Sequence, residues 1–400
     1  MLEREQAPVR RLWAGVLCGY LALGATLQEL PEYVVTKYGQ GPVMAGLAVG
    51  LAFAATALTR PFAGRAGDAG RARPVVTAGG ALTAIAAAAH LFAPNVGVLL
   101  AARLLMGAGE AALFSGGLPW VLAGTPANRR GRVSGWFGLS MWAGLTLGPL
   151  LAVLVHRVGG DTAVWLVVIA LPLVSTALVA STRRQSRPAS AEAVGTIRPK
   201  SWRDVVPRGV GLPGLCLGLA AYGYGSLTAL LVLYLTADHV GGQSVGLSVF
   251  AISFLLTRSL GSPQVDRHGG VPVARCVLGI EMAGLLLLAL VRTEWAALAG
   301  AAITGIGIAT IYPATIAVTL HRTGGIRPGV AMGAMTSLWD IGILVAGPIG
   351  GLVATHAGYQ VAFAVAAGMA IIALIVTFIL PAQPTSMVSS TVRSGDRIRS

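Results

Sequence analysis

The sequence contains few charged residues, few cysteines and almost no lysine. Aspartate, glutamate, lysine and arginine make up 11% of its 400 residues, against about 25% in an ordinary soluble domain. Together with 55% hydrophobic residues and a mean hydropathy of +0.74, this excludes a soluble globular enzyme, a disordered chain and a fibrous protein. The three cysteines form no C-x-x-C pair, so the sequence indicates neither a disulfide framework nor a zinc site.

Motifs of the common enzyme classes are also missing. Neither lysine, Lys37 or Lys200, follows a glycine, so there is no phosphate-binding P-loop. The six histidines are scattered without metal-ligand spacing, and no G-x-S-x-G nucleophile motif occurs. An intramembrane enzyme therefore has no candidate chemistry, and we expect no catalytic residues, no metal and no cofactor.

Long apolar runs dominate what is present. A bilayer core takes about 20 apolar helical residues, and the sequence contains twelve such runs. They lie at roughly 12–35, 43–63, 74–93, 96–120, 133–155, 162–181, 211–236, 244–264, 271–291, 295–320, 329–355 and 359–380. We therefore predict an all-α membrane protein with twelve transmembrane helices. The first run is too long for a signal-peptide core, so we expect it to be an uncleaved anchor.

Basic residues are divided unevenly between the two sides of these helices. With the N-terminus inside, 25 of the 29 lysines and arginines fall on the cytoplasmic side and three outside. This follows the positive-inside rule and predicts cytoplasmic termini in a cell membrane. A nucleic-acid-binding protein would carry a basic patch that is not divided by the membrane, so we expect no nucleic-acid partner. The excess of arginine over lysine favours a bacterial source.

The two halves of the chain repeat at an offset of about 198 residues. Leu58-Thr59-Arg60 recurs as Leu256-Thr257-Arg258, and Gly148-Pro149 recurs as Gly347-Pro348. Six helices repeated in the same orientation predict two parallel bundles with a substrate site between them near mid-membrane. We divide the chain into an N-terminal bundle (1–181), a basic cytoplasmic linker (182–210), a C-terminal bundle (211–382) and a disordered cytoplasmic tail (383–400).

The loop after the second run carries a recognisable motif. It reads RPFAGRAGDAGRAR from Arg60 to Arg73 and resembles the signature loop of the major facilitator superfamily, in the version found in bacterial efflux permeases. The residues that carry the resemblance are Arg60, Gly64, Asp68, Gly70 and Arg71, and those of the second copy are Arg258, Asp266, Arg267 and Gly269. Ala69 stands where the family has an arginine.

The resemblance implies the twelve-helix fold of this superfamily, with two parallel six-helix repeats, and transport by alternating access. It also implies that the two loops gate the cytoplasmic side. Asp68 is expected to pair with Arg60 or Arg71, or to face a helix N-terminus. The alternative is that these residues only fix the loop's shape and topology.

A second family motif lies in the fifth run. Its glycines and proline, Gly144, Gly148 and Pro149, resemble the motif of antiporters and exporters, and the eleventh run repeats it with Gly347 and Pro348. Glycines permit tight helix contact and proline kinks a helix, so a closely packed pair at the interface would suit a rocking motion. The resemblance favours export; the alternatives are ordinary packing and a nutrient importer.

Arg103 lies inside the fourth run, where an isolated charge costs at least about 2.5 kcal/mol. It must therefore face a cavity or a partner. Because Glu29 lies at a similar depth, we predict Glu29 as its counter-charge; the alternative is a permanent structural pair. Glu110 lies two helical turns further on.

Buried acids are the candidates for binding a coupling ion, because a carboxyl group removed from water can take up and release a proton. We select Glu29, Glu110 and Asp340, with less weight on Glu32 and Glu281. Sodium coupling and neutral packing residues stay open as alternatives. The aromatic side chains expected at the cavity could stack on a flat substrate or fill the core. They are Tyr20, Trp142, Tyr222, Tyr224, Tyr312 and Trp339.

These observations predict a secondary transporter, a proton-coupled exporter of small hydrophobic or amphipathic molecules such as drugs or secondary metabolites. Its partners would be the substrate, the coupling proton and the lipid bilayer, with no obligate protein partner. A proton-coupled importer is the alternative, and a non-transporting membrane sensor is a more remote one.

Overall fold

The structure is a computed structural model that describes residues 8–123, 125, 130–182, 209–237, 239–322 and 328–380. Within these ranges the side chains of 130–132, 262, 266, 320 and 328–333 are not described. Most of the predicted linker (182–210) and all of the predicted tail (383–400) lie outside these residues. The predicted division into bundles, linker and tail therefore stays a prediction.

The described residues form twelve helices and no strand. The N-terminal half contains α1 (Val9–Tyr38), α2 (Pro42–Ala66), α3 (Ala72–Phe92), α4 (Val96–Ala123) and the stretch Arg130–Ala180, which breaks at Gly160 into α5 (130–159) and α6 (161–180). The C-terminal half contains α7 (Gly211–Ala237), α8 (Gly246–His268), α9 (Gly270–Leu290), α10 (Glu294–Ala309 continued by Ile311–Arg322), α11 (Pro328–Ala357) and α12 (Tyr359–Ile379).

Each of the twelve apolar runs coincides with one helix. Eight continuous helical stretches of the described chain are long and apolar enough to cross a membrane, and two of them, Pro42–Phe92 and Val133–Ala180, each contain two helices. The other two helices are α1, which carries Glu29, Glu32 and Lys37, and α8, whose apolar part is Gly246–Gly261. The predicted all-helical membrane fold is confirmed.

Two glycines stand where a long helical stretch is divided into two helices. Gly160 has φ 65° and ψ −166° where α5 ends, and Gly70 has φ 75° inside the π-helical turn Gly67–Arg71 between α2 and α3. A residue with a Cβ is strained at a positive φ. Glycine at these two positions therefore allows the backbone to leave the helical conformation, which divides each long stretch into two helices.

Helix contacts repeat from one half to the other. In the N-terminal half α1 packs on α5, α2 on α4, and α3 on α4 and α6; in the C-terminal half α7 packs on α11, α8 on α10, and α9 on α10 and α12. Between the halves, α2 contacts α11 and α5 contacts α8. These are equivalent pairs under the sequence repeat, so the two halves meet around a pseudo-twofold arrangement.

Candidate functional site

A buried ion pair joins the two halves. Arg60, near the end of α2, donates from Nε to Oδ2 of Asp340 on α11 over 2.8 Å. The two side chains are only 10% and 1% exposed. The sequence motif placed Arg60 in a loop. Instead, α2 continues to Ala66 and carries Arg60 into the interface. A charge-assisted bond in this setting fixes α2 against α11.

Small residues bring the same two helices into close contact. Gly46 of α2 lies against Gly347 of α11: a Cβ added to Gly347 would stand 3.1 Å from the Gly46 Cα and still closer to its carbonyl. Further along, a Cβ on Gly50 would meet the carbonyl oxygen of Leu344 at 2.8 Å. The α2–α11 contact is therefore tight at the Pro42 end of α2, and the ion pair lies further along α2 toward Ala66.

A narrow cavity lies beside the ion pair. Its free volume is about 20 Å³, which is room for about one water molecule, so its walls nearly touch in this conformation. Asp340 and Arg60 are its charged lining residues, and the other lining side chains are mainly apolar and aromatic. They are Tyr20, Leu23, Phe53, Thr56, Met141, Trp142, Leu145, Tyr312, Thr336 and Trp339. Residues of both halves thus contribute to one site with a titratable acid and large apolar walls.

A second cavity, with a free volume of about 10 Å³, is separated from the first by Trp142 and Leu145, which line both. Tyr224, Phe250 and Phe254 form its aromatic wall, and Thr146 and Thr228 are its polar residues. The Trp142 ring lies 5.2 Å from Phe254 and 5.8 Å from Trp339 between centroids. Stacking aromatic groups of this kind suit a flat or amphipathic molecule.

Arg258 of α8 occupies the position equivalent to Arg60. Its guanidinium carbon lies 4.4 Å from the centre of the Trp142 ring, and its Nη1 donates to the carbonyl oxygen of Ala309 over 3.0 Å. The Ala309 carbonyl is free to accept this bond because the residue four positions on, Pro313, has no backbone N–H. The second interface contact between the halves therefore includes a cation–π interaction.

The predicted pairing of Arg103 with Glu29 is wrong. Arg103 is fully buried inside the N-terminal half, where its Nε donates to the carbonyl oxygen of Ala48 over 2.8 Å and Nη2 to that of Val49 over 3.4 Å. Backbone carbonyls of α2 therefore satisfy the guanidinium, and Arg103 lines neither cavity described above. It joins α4 to α2.

Glu29 belongs to a different cluster. Its Oε2 lies 3.5 Å from Nδ1 of His156, which is also 3.2 Å from Oδ1 of Asp161. These residues are near the ends of α5 and α6 that meet at Gly160, and His156 is half-exposed. Sequence reasoning missed this cluster, because no spacing in the sequence connects α1 with the α5–α6 junction.

Two further predicted residues, Glu110 and Tyr222, are buried but do not line the cavities. Both carboxylate oxygens of Glu110 lack a hydrogen-bond partner within the described chain, as does the hydroxyl of Tyr222. The Tyr20 hydroxyl donates to the backbone carbonyl oxygen of Glu110 over 3.2 Å. Glu110 is thus adjacent to the cavity through Tyr20, and its proposed proton role stays a prediction.

The predicted gating loops are exposed. Asp68, Arg71 and Arg267 point to the surface. The predicted pairing of Asp68 with Arg60 is wrong, because Arg60 pairs with Asp340; the part of the chain that the structure describes gives Asp68 no ion pair. Of the other predicted loop residues, Gly64 lies within α2. Gly70 and Gly269 have positive φ angles of 75° and 83°. The Asp266 side chain is outside the described residues.

The antiporter-like glycines are divided between two kinds of contact. A Cβ on Gly144 would meet Tyr20 and Leu21, and one on Gly148 would meet Gly24 and Ala25, so both face α1 of their own half. In contrast, Gly347 contacts Gly46 of the opposite half. The expectation that the two motif helices pack together at the interface is wrong, since the fifth helix uses its glycines to approach α1. Pro149 lines the second cavity and Pro348 lies inside α11.

Comparisons with known proteins agree with this architecture. A family model described as Major Facilitator Superfamily matches residues 12–241 and 213–397. The uncharacterized MFS-type transporter YhhS of Escherichia coli K12 is 31% identical over 384 residues, 94% of this chain and 93% of its own length. Its namesake in Salmonella typhi is also 31% identical, over 383 residues, with 94% and 93% covered.

Solved structures share the fold at low sequence identity. The nucleoside transporter NupG has a TM-score of 0.75 at 11% identity, covering 93% of this chain and 99% of its own. A bacterial homologue of the human lysosomal transporter Spinster, inward-facing and occupied, has a TM-score of 0.74 at 14% identity, covering 93% and 96%. These relatives indicate a multi-pass membrane transport protein rather than an enzyme. The chain therefore belongs to the Major Facilitator Superfamily of transporters.

Proposed function

We propose that this protein is a proton-coupled exporter of small hydrophobic or amphipathic molecules, and that the Arg60–Asp340 pair is its coupling site. The observation that carries the proposal is a carboxylate that is 1% exposed, joins the two halves and lines an aromatic cavity. The direction of transport rests on the antiporter-like motif.

The pair couples proton binding to movement because its two charges need one another. Protonation of Asp340 removes the negative charge and leaves the Arg60 guanidinium buried without its partner. Breaking a buried pair in this way costs about 3–5 kcal/mol. The α2–α11 contact is then destabilised, and the halves can tilt apart at this position. Loss of the proton restores the bridge.

The two cavities support the proposed substrate class. Aromatic and aliphatic side chains form most of their surface, with Thr146, Thr228 and Thr336 as neutral polar groups. Once the halves tilt apart and widen these narrow cavities, an amphipathic molecule can place its apolar part against Trp142 and Trp339 and its polar part beside Asp340 and Arg60. The named solved transporters contribute the shared fold and not a substrate, because their identities are below 25%.

The test is transport by the purified full chain in liposomes with an imposed pH gradient and a panel of labelled neutral, cationic and anionic compounds. Export predicts that a proton gradient drives at least one amphipathic compound in the direction opposite to proton flow. Asp340→Asn should abolish that coupling while exposed Glu32→Gln retains it. Movement with the protons would support the importer instead, and unchanged coupling in Asp340→Asn would refute the assigned site.

A further inference from the structure

Glu281, in the middle of α9, is a carboxyl group that neither interface cavity reaches. It is fully buried, and within the described chain neither Oε1 nor Oε2 has a hydrogen-bond partner. No basic side chain of the described residues forms an ion pair with it. Burying an isolated carboxylate costs far more than protonating it. The packing around Glu281 therefore fits the neutral acid.

Two glycines from neighbouring helices lie directly against this residue. A Cβ on Gly307 of α10 would stand 2.6 Å from the Glu281 Cα, and a Cβ on Gly223 of α7 would collide with Oε1. Three helices of the C-terminal half therefore meet at Glu281, with α10 against its backbone and α7 against its carboxyl group. Both carboxyl oxygens are inaccessible to solvent in this packing.

The N-terminal half provides an internal reference for this position. Thr83 on α3 is 198 residues before Glu281, and Gly109 on α4 is 198 residues before Gly307. Gly109 packs against Thr83 as Gly307 packs against Glu281. The Thr83 hydroxyl donates to the carbonyl oxygen of Gly79 over 2.9 Å, so this site is satisfied and cannot ionise. The acid is thus an addition that equivalent packing does not require.

The position of Glu281 connects it to the interface. Gly307 lies three residues before the break in α10 at Thr310. Residues around that break contact either Arg258 of α8 or Trp142 of the opposite half. The Ala309 carbonyl accepts the bond from Arg258, and the Tyr312 ring lies 6.2 Å from Trp142. A displacement of α10 at Gly307 would therefore disturb the Arg258–Trp142 contact.

Few titratable groups surround the carboxyl. On α7, the Cys216 thiol is neutral, because its Sγ donates to the Ala373 carbonyl oxygen at 3.6 Å. The first segment of α10, Glu294–Ala309, has Glu294 at its far end as its one acidic or basic residue, and α12 has none. On α9 itself, Arg275 donates to Thr377.

We infer that Glu281 is a second proton-binding site, whose bound proton keeps α9 packed against α7 and α10 and so holds the α10 break in place for the Arg258–Trp142 contact. It acts as a positioning residue and does not contact substrate. The site goes beyond the proposed coupling pair, and it would exist whichever solute is carried and in whichever direction.

The sign of the pH effect follows from linkage. The folded protein holds the proton, while an unfolded glutamate releases it above an ordinary pKa of about 4.3. Stability therefore falls as pH rises, with up to about a tenfold increase in the unfolding equilibrium constant per pH unit while only the folded state is protonated. Replacing the acid with a neutral residue removes this contribution.

The experiment measures thermal unfolding of the full chain in detergent across acid to alkaline pH. Its variants are Glu281→Gln, an isostere of the protonated acid, and Glu281→Thr, which introduces the residue type of the N-terminal half. Both variants should lose less Tm than the wild type as pH rises, while exposed Glu32→Gln keeps the wild-type profile. The readout is stability, so its outcome is independent of any transport assay.

Equal pH profiles for the wild type and either folded variant would overturn the inference. So would the failure of both variants to fold, because neutral side chains should replace a protonated acid. If one variant fails to fold, the profile of the other decides.

Discussion

The two arginines of the repeated Leu-Thr-Arg motif occupy equivalent helices but have different partners. Arg60 on α2 donates to the Asp340 carboxylate of α11, whereas Arg258 on α8 lies over the Trp142 ring of α5. One interface contact therefore includes an acid that can take up a proton, and the other includes an aromatic ring that cannot. A duplicated backbone reproduces the helix pairing, while individual side chains decide which contact responds to protons.

The largest effect is expected from breaking the acidic contact. Asp340→Asn should lower the free energy of unfolding by about 3–5 kcal/mol, because it leaves the buried Arg60 without a counter-charge, and proton-driven transport should be lost while substrate exchange continues. Thermal unfolding and liposome transport measure the two effects. The double variant Arg60→Gln/Asp340→Asn should recover much of the stability. A single variant as stable as the wild type would contradict the role of the pair.

Arg103 offers a second contrast between the halves, because the equivalent position is Ala301. Arg103→Ala should lower stability by about 3 kcal/mol, since it removes two charge-assisted bonds to α2 carbonyls. Arg103→Lys should lose less stability, because its ammonium group can still donate to a carbonyl of α2. Yield and Tm in detergent provide the measurement. A stable Arg103→Ala protein that has lost transport would instead return this residue to the transport pathway.

The α2–α11 contact can be tested by adding one methyl group. Gly347→Ala should cost about 1–3 kcal/mol in the conformation seen here, because its Cβ would collide with the Gly46 backbone. The conformational equilibrium should shift toward separation of the halves at this end, measured by distances between spin labels on α2 and α11. Gly138→Ala is the matched control, since nothing lies within 4 Å of an added Cβ there. Equal distances in both variants would remove this contact from the conformational switch.

Removing the cation–π contact should have a smaller effect. Arg258→Gln loses the interaction with Trp142, worth about 0.5–2 kcal/mol. We expect a transport rate a few-fold lower with the same pH profile, because the substitution leaves the Arg60–Asp340 pair unchanged. A changed pH profile would show that both arginines share in proton coupling.

The smallest effect is expected at the exposed loop. Asp68→Asn should change stability by no more than about 0.5 kcal/mol, because the side chain is on the surface. If the loop gates the cytoplasmic side, turnover should slow more than substrate binding weakens. Wild-type turnover would leave the loop with a topological role only. Measurements of transport rate and of substrate affinity separate these outcomes.

Several features could be predicted from the sequence because they depend on local composition. Apolar run length fixed the number of helices, and the 198-residue repeat indicated two equivalent halves. Trp142, Trp339, Tyr224 and Asp340 lie beside the two cavities, and their roles in transport stay predictions. The choice of these acidic and aromatic residues needed only the residue type and its depth in the membrane.

Pairings between helices could not be predicted in this way. Depth alone placed Glu29 beside Arg103, but the rotation of each helix about its axis directs Glu29 to His156 and Arg103 to the carbonyls of Ala48 and Val49. Likewise, the motif placed Arg60 in a loop, whereas the continuation of α2 brings it to Asp340. Sequence spacing contains no information on the azimuth of one helix relative to another.

The amino-acid sequence by itself determined that this chain is a helical membrane protein built from two repeats, because the cost of exposing polar backbone to lipid permits little else for such apolar runs. Only the tertiary structure decided which charges meet. In lipid, a buried charge is stable only where a specific partner lies within hydrogen-bonding distance, and that distance is set by helix packing. Arg60 and Asp340 can therefore both be charged, because they meet each other. Glu281 has no partner among the described residues, so its packing fits the neutral acid.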